Sequence, residues 1–191
     1  MPTHSVHHYV PKFLLERWHT GADERLSVFR WAHGKLTHHR YKAKSVAKAE
    51  HLYSMRRSQT EPDVKVEKDF LGPHVDDPAA IVHKKILAMG VRSLNDDDKR
   101  AWSLFLVSLM LRVLATMQHM RQRGRQTLAA GLDEAPDDYL DARGDDPEPT
   151  LRAWVEKYHP DLLDDLAVMT LPHLVFSKLL NGAFLGAKWA T

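Results

Sequence analysis

One segment constrains the fold of this chain more than any other: residues 96–123 have the pattern of a long helix that is apolar on nearly every side. Asn95 is a typical N-cap residue, and three aspartates follow it in the first turn, where the helix dipole favours negative charge. The polar positions form only one narrow stripe at helical spacing, which consists of Ser108, Arg112, Thr116 and His119. Because its apolar sides need partners, such a helix is expected at the centre of a bundle.

Other segments with helical patterns surround this one in the sequence. Residues 78–89 begin after Asp77 and end at Gly90, whereas residues 66–71 are predicted to form a single turn that Gly72-Pro73 ends. Residues 151–159 and 161–180 also have helical patterns, the second with a bend near Pro172 and an end at Asn181-Gly182. Residues 61–191 are therefore predicted to form a helical bundle.

The first sixty residues have a different pattern. Residues 26–31 are rich in β-forming side chains, residues 32–35 have turn composition, and residues 36–41 return as a second strand, so that a β-hairpin is predicted. A short helix is predicted over 11–18, a helical turn over 45–50, and a third strand over 51–55. The predicted fold class is α+β, with a small β-hairpin element in residues 1–60 packed on a mainly helical bundle as one compact domain.

The charge of the chain is unevenly distributed. Residues 1–60 contain 11 Lys and Arg against 4 Asp and Glu, a net charge of +7, and the remaining 16 basic and 21 acidic residues give −5, which together make +2. Eight of the 13 histidines also lie in the first sixty residues. A concentrated positive field favours an anionic partner such as nucleic acid, a nucleotide or a phosphoester. The alternative is that the basic part docks on the acidic part of its own chain.

Several classes of protein are excluded by what the sequence lacks. The 191 residues include no Cys, which excludes disulfides, thiolate nucleophiles and cysteine zinc sites and suits a reducing compartment. The start of the chain has no basic stretch followed by an apolar run, so a cytoplasmic location is expected. The longest apolar window, residues 101–117, is too short and too polar for a bilayer, so no membrane association is expected. Glycine-rich phosphate loops, Gly-x-Ser-x-Gly elbows and His-Glu-x-x-His motifs are also absent from the sequence.

Two pairs of adjacent histidines are candidates for chemistry, because imidazole suits metal ligation, acid–base catalysis or a hydrogen bond to phosphate. In extended backbone, His7 and His8 point to opposite sides, so that at most one of them faces any given site. The same rule applies to His38 and His39 on the second hairpin strand. The structural alternative is that one His of each pair packs and the other is in water. Neither pair has the spacing of a strong zinc motif, so the metal and cofactor questions stay open.

The register of the hairpin determines which side chains share a face. If Trp31 pairs with Leu36, one face carries Phe29, Trp31, Leu36 and His38, and the other carries Val28, Arg30 and His39. Phe29, Trp31, Tyr41 and Tyr53 occur among basic residues, and such a mixture can stack on and clamp nucleotides. The alternative is that these aromatic residues form a small core under the hairpin.

Arg112 is the most unusual residue of the central helix. A guanidinium among apolar neighbours needs a partner: an acid of the chain, for which Glu67 and Asp69 are the candidates, a backbone carbonyl, or a bound anion. The alternative is that the polar stripe is simply the solvent face of the helix. We expect one of His7, His8 and Tyr9 to lie about one side-chain length from Arg112, in a shared polar pocket.

The functional hypothesis combines these features. The protein is predicted to bind an anionic ligand, nucleic acid or a nucleotide, and phosphodiester hydrolysis is the reaction class to test if it is an enzyme. In that version His7 or His8 is the acid–base or metal-binding group, and Arg112 holds phosphate charge. The predicted ligand-binding residues are Tyr9, Lys12, Arg30, His38, His39, Tyr53 and His119. The alternative is a non-catalytic interaction module that docks its basic part on an acidic protein; the oligomeric state stays open.

The order of motifs along the chain resembles a known family. The chain opens with His-His-Tyr-Val-Pro-Lys-Phe-Leu-Leu from His7, continues with hairpin, Ser-Val-Ala and His-Leu-Tyr segments, and reaches a helix that ends in Arg112. This order is similar to a bacterial and phage family catalogued as domain of unknown function four-two-three-eight. The resemblance implies a fold and a site rather than a reaction, and the matching residues are His7, His8, Tyr9, Pro11 and Arg112. Family members continue past a tryptophan-bearing strand, which residues 186–189 resemble, into a segment beyond the position where this chain stops.

Overall fold

The computed structural model describes residues 6–55, 63–134 and 136–189. The fold is α+β, as predicted, with small antiparallel sheets at the N-terminal end and a helical bundle after them. The boundary expected between residues 60 and 61 lies outside the described residues.

The N-terminal part contains two separate two-stranded antiparallel sheets. Strand β1 (Val6–His8) pairs with β4 (Lys48–Glu50), and β2 (Leu26–Ala32) pairs with β3 (Lys35–Tyr41). Between β1 and β2, the helix predicted over 11–18 is formed by α1 (Lys12–Leu15) and a 3-10 turn over Glu16–Trp18. The predictions for residues 45–55 are wrong, because the strand occupies 48–50 and the chain turns over 51–53. Local composition favours a helix there, but the backbone groups of β1 need a partner strand, and β4 provides it across more than forty residues of sequence.

The hairpin of β2 and β3, called the ribbon below, has the predicted register. Trp31 lies opposite Leu36 and Phe29 opposite His38, so that the two expected faces are confirmed. The strands are joined by His33 and Gly34, whose φ angles of 50° and 72° are those of a type I′ turn, which suits the twist of a hairpin. Among the residues that the structure describes, neither strand pairs with a third strand, and most side chains on both faces are exposed.

The segment predicted to stop at Gly72-Pro73 instead continues as an 11-residue π-helix, Val66–Asp76, which leads directly into α2 (Asp77–Met89). Gly and Pro disfavour an α-helix at this point, and the chain accommodates them in the wider winding of i→i+5 hydrogen bonds. The buried residues of the π-helix recur four to five positions apart, at Val66, Phe70, Leu71 and Val75. This spacing follows a helix of roughly 4.4 residues per turn rather than 3.6.

The central helix is divided in two, which corrects the prediction of one helix over 96–123. Helix α3 (Asp96–Arg112) ends at Val113, whose ψ of 147° is extended, and α4 (Leu114–Asp133) follows through Gly124 without a break. The start agrees with the prediction: Asn95 and Asp98 form a capping box, with reciprocal hydrogen bonds of 2.8 and 3.0 Å. The extended residue removes the Arg112 carbonyl from the helical ladder and leaves it open to another donor.

The C-terminal helices are α5 (Pro136–Ala142), α6 (Leu151–Tyr158), α7 (Leu162–Val175) and α8 (Lys178–Leu185). The predicted bend near Pro172 falls at residues 176–177 instead, and Asn181 lies inside α8 rather than after it. The reason is that the Asn181 amide donates to the carbonyls of Val175 at 2.6 Å and Ser177 at 2.9 Å, which satisfies the backbone at the break. Residues 186–189, expected to resemble a strand, form a turn and irregular chain.

Each of the two long helical segments is therefore a pair of helices with a bend between them, which is 71° between α3 and α4 and 42° between α7 and α8. Within the described residues, no single helix is both long and apolar enough to cross a membrane, and only these two pairs, each taken together, reach such a length and composition.

The core lies where α3, α7 and the π-helix meet the turn at residues 51–53. Helix α3 packs against α2, α7 and α8, as its central position predicts. Phe105, Leu71 and Leu171 are completely buried, whereas Leu109 and Leu111 on α3 are only partly buried. Helix α7 has six buried residues of 14 and α3 has five of 17, so α7 is the more buried of the two although the segment that contains α3 was expected at the centre of the bundle.

Candidate functional site

Tyr53 connects the N-terminal motif to the central helix. The His7 imidazole, buried on β1, stacks on the Tyr53 ring at 5.4 Å between centroids with an interplanar angle of 6°. The Tyr53 backbone N–H donates to His7 Nδ1 at 2.9 Å, and the Tyr53 hydroxyl donates to the Arg112 carbonyl at 2.8 Å. A single side chain thus spans the distance from His7 to Arg112, and it uses the carbonyl that the bend at Val113 leaves open.

Arg112 has an acidic partner of the chain, Asp76. Its Nη1 donates to Asp76 Oδ2 at 3.1 Å and its Nη2 to Asp76 Oδ1 at 2.7 Å, while the guanidinium carbon lies 5.7 Å from the Phe105 ring centre. Arg112 and Ser108 are fully buried, so the interpretation of the polar stripe as a solvent face is wrong at these positions. The hydrogen-bonded partner is thus neither Glu67 nor Asp69, the expected candidates, but Asp76, which lies between the two helices predicted over 66–71 and 78–89.

The π-helix explains why Asp76 and Glu67 both face Arg112. These residues are nine positions apart, which is two and a half turns of an α-helix and would place them on opposite sides. At roughly 4.4 residues per turn, nine positions are close to two full turns, so the two carboxyl groups lie on the same side. We call the group of Glu67, Asp76, Arg112, Tyr53 and His7 the Arg112 cluster.

The electrostatics of the Arg112 cluster follow from burial. Burial raises the pKa of Glu67 to about 7; the charge of Arg112 opposes this rise and that of Asp76 adds to it. Burial also raises the pKa of Asp76, whereas the hydrogen bonds from Arg112 and its positive charge lower this pKa. Burial raises the pKa of the Tyr53 hydroxyl, which therefore stays a neutral donor. Glu67 Oε2 is buried and has no hydrogen-bond partner among the described residues, so Glu67 is the titratable member near neutral pH.

Glu67 is expected to make stability depend on pH. Because its folded pKa of about 7 lies above the ordinary 4.5, the folded state holds a proton that the unfolded state releases, and the free energy of unfolding falls as pH rises from 4.5 to about 7. Glu67→Gln, which cannot ionise, should be about 2–3 kcal/mol more stable than the unsubstituted protein at pH 8 and nearly equal to it at pH 4.5. Urea unfolding followed by circular dichroism at both pH values measures this. Glu50→Gln, the same change at an exposed position, is the control; an unchanged pH slope in Glu67→Gln would contradict the assignment.

The other residues of the opening motif lie around β1. His8 points away from His7, as the alternation of an extended strand predicts, and burial, followed by the charge of Lys48, lowers its pKa. Tyr9 is half-buried and packs against the core, and Lys12 is exposed and forms an ion pair with Glu16 at 3.1 Å. The structure therefore brings His7, Tyr53 and Arg112 together and places His8 and Lys12 outside the cluster.

The remaining predicted ligand-binding residues lie elsewhere. His38 stacks on Phe29 at 4.7 Å on one face of the ribbon, and Arg30 and His39 occupy the other face. His119 is exposed on α4, beyond the bend that separates it from Arg112. Tyr53 is completely buried, so it is not part of an exposed clamp with the ribbon aromatics. Among the residues that the structure describes, no group of three or more His, Asp and Glu is placed to hold a metal ion.

Sequence reasoning missed two residues around this site, Asp76 and Arg121, and it named Glu67 beside Arg112 without predicting that burial raises the pKa of Glu67. Arg121 Nη2, on α4, donates to the carbonyls of His51 at 3.2 Å and Leu52 at 3.0 Å and so holds the turn that positions Tyr53. The four-to-five-residue spacing of the apolar side chains at 66–75 is the signal that predicts a π-helix and, with it, Asp76 beside Glu67.

The ribbon is the most exposed part of the chain that carries predicted site residues. Trp31 is 75% exposed and Phe29 63% exposed, so these aromatic residues are not the core under a hairpin. From Arg25 to Ala49 the sequence has no Asp or Glu but contains seven cationic residues, namely Arg25, Arg30, Lys35, Arg40, Lys42, Lys44 and Lys48. Arg40 holds the base of the ribbon to Asp23 at 2.7 Å.

Comparison with known proteins gives one match. A family model described as "Protein of unknown function (DUF4238)" matches residues 6–178, which include the ribbon and all five residues of the Arg112 cluster. No curated protein and no solved structure matches the chain. The matched range begins at β1 and extends to the start of α8, nearly the whole described fold. The chain therefore belongs to the DUF4238 family of proteins of unknown function.

Proposed function

We propose that this protein binds nucleic acid through the ribbon and the basic surface beside it. The observation that carries the proposal is the ribbon itself: a two-stranded element exposed on both faces, within 25 consecutive residues that lack any acid. Exposed strands are among the elements with which known proteins contact nucleic acid.

The charges of this surface are available to a ligand. Within the described residues, Arg30, Lys35, Lys42, Lys44 and Lys48 form no salt bridge, whereas Arg25 and Arg40 are paired with Asp23 at the base of the ribbon. Cationic side chains without acidic partners neutralise phosphates and release condensed counterions, which is the main source of affinity for nucleic acid.

The Arg112 cluster supports a structural role better than a catalytic one. Both Nη atoms of Arg112 are occupied by Asp76, and His7 Nδ1 accepts a backbone hydrogen bond from Tyr53. Phosphodiester hydrolysis with Arg112 as the phosphate-holding group therefore draws no support from this geometry, and the proposal is for binding. The cluster fixes β1 and the 51–53 turn against the bundle.

The test is the salt dependence of binding to fluorescently labelled oligonucleotides. Affinity should fall steeply between about 50 and about 200 mM salt, since each phosphate contact contributes close to one unit of slope in log K against log salt. Arg30→Gln combined with Lys35→Gln should weaken binding about tenfold or more and reduce the slope by about 2. Arg92→Gln combined with Lys178→Gln, an exposed Arg and Lys outside the basic surface, is the matched control.

Two outcomes would contradict the proposal. One is no binding at the lowest salt, and the other is equal weakening by the ribbon pair and the control pair, which indicates unspecific attraction. Binding to an acidic polypeptide such as polyglutamate, together with no binding to oligonucleotides, would instead favour the alternative of an interaction module for acidic proteins.

A further inference from the structure

The two faces of the ribbon differ in chemistry. One face carries Phe29, Trp31, Leu36 and His38, and three of these are large apolar side chains between 62% and 75% exposed. The other face carries Arg30, Lys35 and His39. A narrow element that presents aromatic rings on one face and unpaired cations on the other can contact the bases and the phosphates of one nucleic-acid strand.

The spacing of the two rings suits bases. Phe29 and Trp31 are two residues apart on one strand, which places their Cα atoms about 6.7 Å apart on the same face. This is about twice the 3.4 Å spacing of successive nucleotides in a stacked strand. His38, stacked on Phe29 at 4.7 Å, extends the aromatic surface across to β3. Bases present their flat faces to protein rings only where they are unpaired, since a duplex exposes only their edges.

We infer that the Phe29, Trp31 and His38 face of the ribbon is a stacking platform for unpaired bases, so that the ligand is single-stranded nucleic acid. The inference rests on the proposed function and adds the substrate class to it. Charge favours this occupant over an apolar protein segment, because the platform lies within the acid-free stretch and the opposite face of the same two strands carries Arg30 and Lys35.

Three probes with the same number of phosphates separate stacking from phosphate contact: a single-stranded oligonucleotide, an abasic strand of equal length, and a duplex of half that length, whose two strands together carry the same number of phosphates. The single strand should bind about tenfold more tightly than the abasic strand, because each stacked base contributes about that factor or more. Trp31→Ala should weaken binding of the single-stranded oligonucleotide about tenfold and leave the affinity for the abasic oligonucleotide unchanged. Binding of the single strand should quench the tryptophan fluorescence of the unsubstituted protein more than that of Trp31→Phe, because the difference comes from Trp31.

Two variants serve as matched controls. Leu36→Ala removes an exposed apolar side chain from the same face without removing a ring, and Trp18→Ala removes an indole of equal exposure outside the ribbon. Each control should change the single-strand affinity less than about threefold. Because Trp31, Leu36 and Trp18 are exposed, the variants should keep the circular dichroism spectrum of the unsubstituted protein.

The outcomes distinguish this inference from the proposal it rests on. Equal affinity for the single-stranded and abasic probes, or tighter binding of the duplex, would overturn the stacking platform and leave nucleic-acid binding intact. Failure of all three probes to bind at low salt would overturn both. A third outcome is that an apolar peptide binds the protein, that Trp31→Ala abolishes this binding, and that the single-stranded and abasic probes bind equally. This outcome would assign the face to a protein partner and also overturn the inference.

Discussion

Replacement of Arg112 by Met is expected to lower the free energy of unfolding by about 3–5 kcal/mol, the cost of breaking a buried ion pair by removing one partner. Asp76 would keep its carboxyl group in the cluster but lose the two hydrogen bonds at 2.7 and 3.1 Å that compensate for its burial. Glu67, which shares the same guanidinium charge, would also lose its only opposing positive neighbour in the cluster. The measurement is urea unfolding at pH 7, monitored by circular dichroism.

Two controls make this result specific to a buried charge. Arg152→Met removes an exposed arginine that forms ion pairs with Asp133 at 3.0 Å and Glu156 at 2.9 Å, and it should lower the free energy of unfolding far less than Arg112→Met. Arg112→Met combined with Asp76→Leu removes both charges and should recover much of the loss, since apolar residues of similar volume replace buried ion pairs well. A loss below about 1 kcal/mol in Arg112→Met would show that water reaches Asp76 freely.

Phe105→Ala is expected to cost about 3–5 kcal/mol, the range for truncation of a fully buried aromatic residue. The Phe105 ring is completely buried and packs against Phe13 at 5.4 Å and Trp102 at 5.0 Å between ring centres. It also lies under the Arg112 guanidinium, so its loss leaves a cavity on the apolar side of the cluster. Urea unfolding gives the free energy, and the near-ultraviolet circular dichroism of Trp102 reports the local packing.

The controls for Phe105 lie on the same helix. Leu109→Ala truncates a partly buried residue and should cost clearly less than Phe105→Ala, and Met110→Ala, at a position 60% exposed, should stay within about 0.5 kcal/mol. Equal losses at Phe105 and Met110 would mean that the core does not lie on this side of α3.

The sequence alone determined the features that depend on neighbouring residues. The alternation of an extended strand predicts that His7 and His8 face opposite ways and that Phe29 shares a face with Trp31, and both are confirmed. The capping pattern at Asn95 predicts where α3 begins, because its hydrogen bonds close within three residues. The surplus of positive charge in residues 1–60 is likewise a property of composition, although only the structure shows that the ribbon carries it exposed.

Tertiary structure alone decided the pairings between distant segments. The bend at Val113 leaves the Arg112 carbonyl without a helical donor, and the hydroxyl of Tyr53, 59 positions away in the sequence, donates to it. Strand β1 likewise has a partner only because β4 lies beside it. Asp76 is the partner of Arg112 because the π-helix has more residues per turn than the α-helix that was assumed for residues 66–71. Local propensity carries no information about such contacts, since burial of a guanidinium is stabilising only when the whole fold delivers a carboxylate to it.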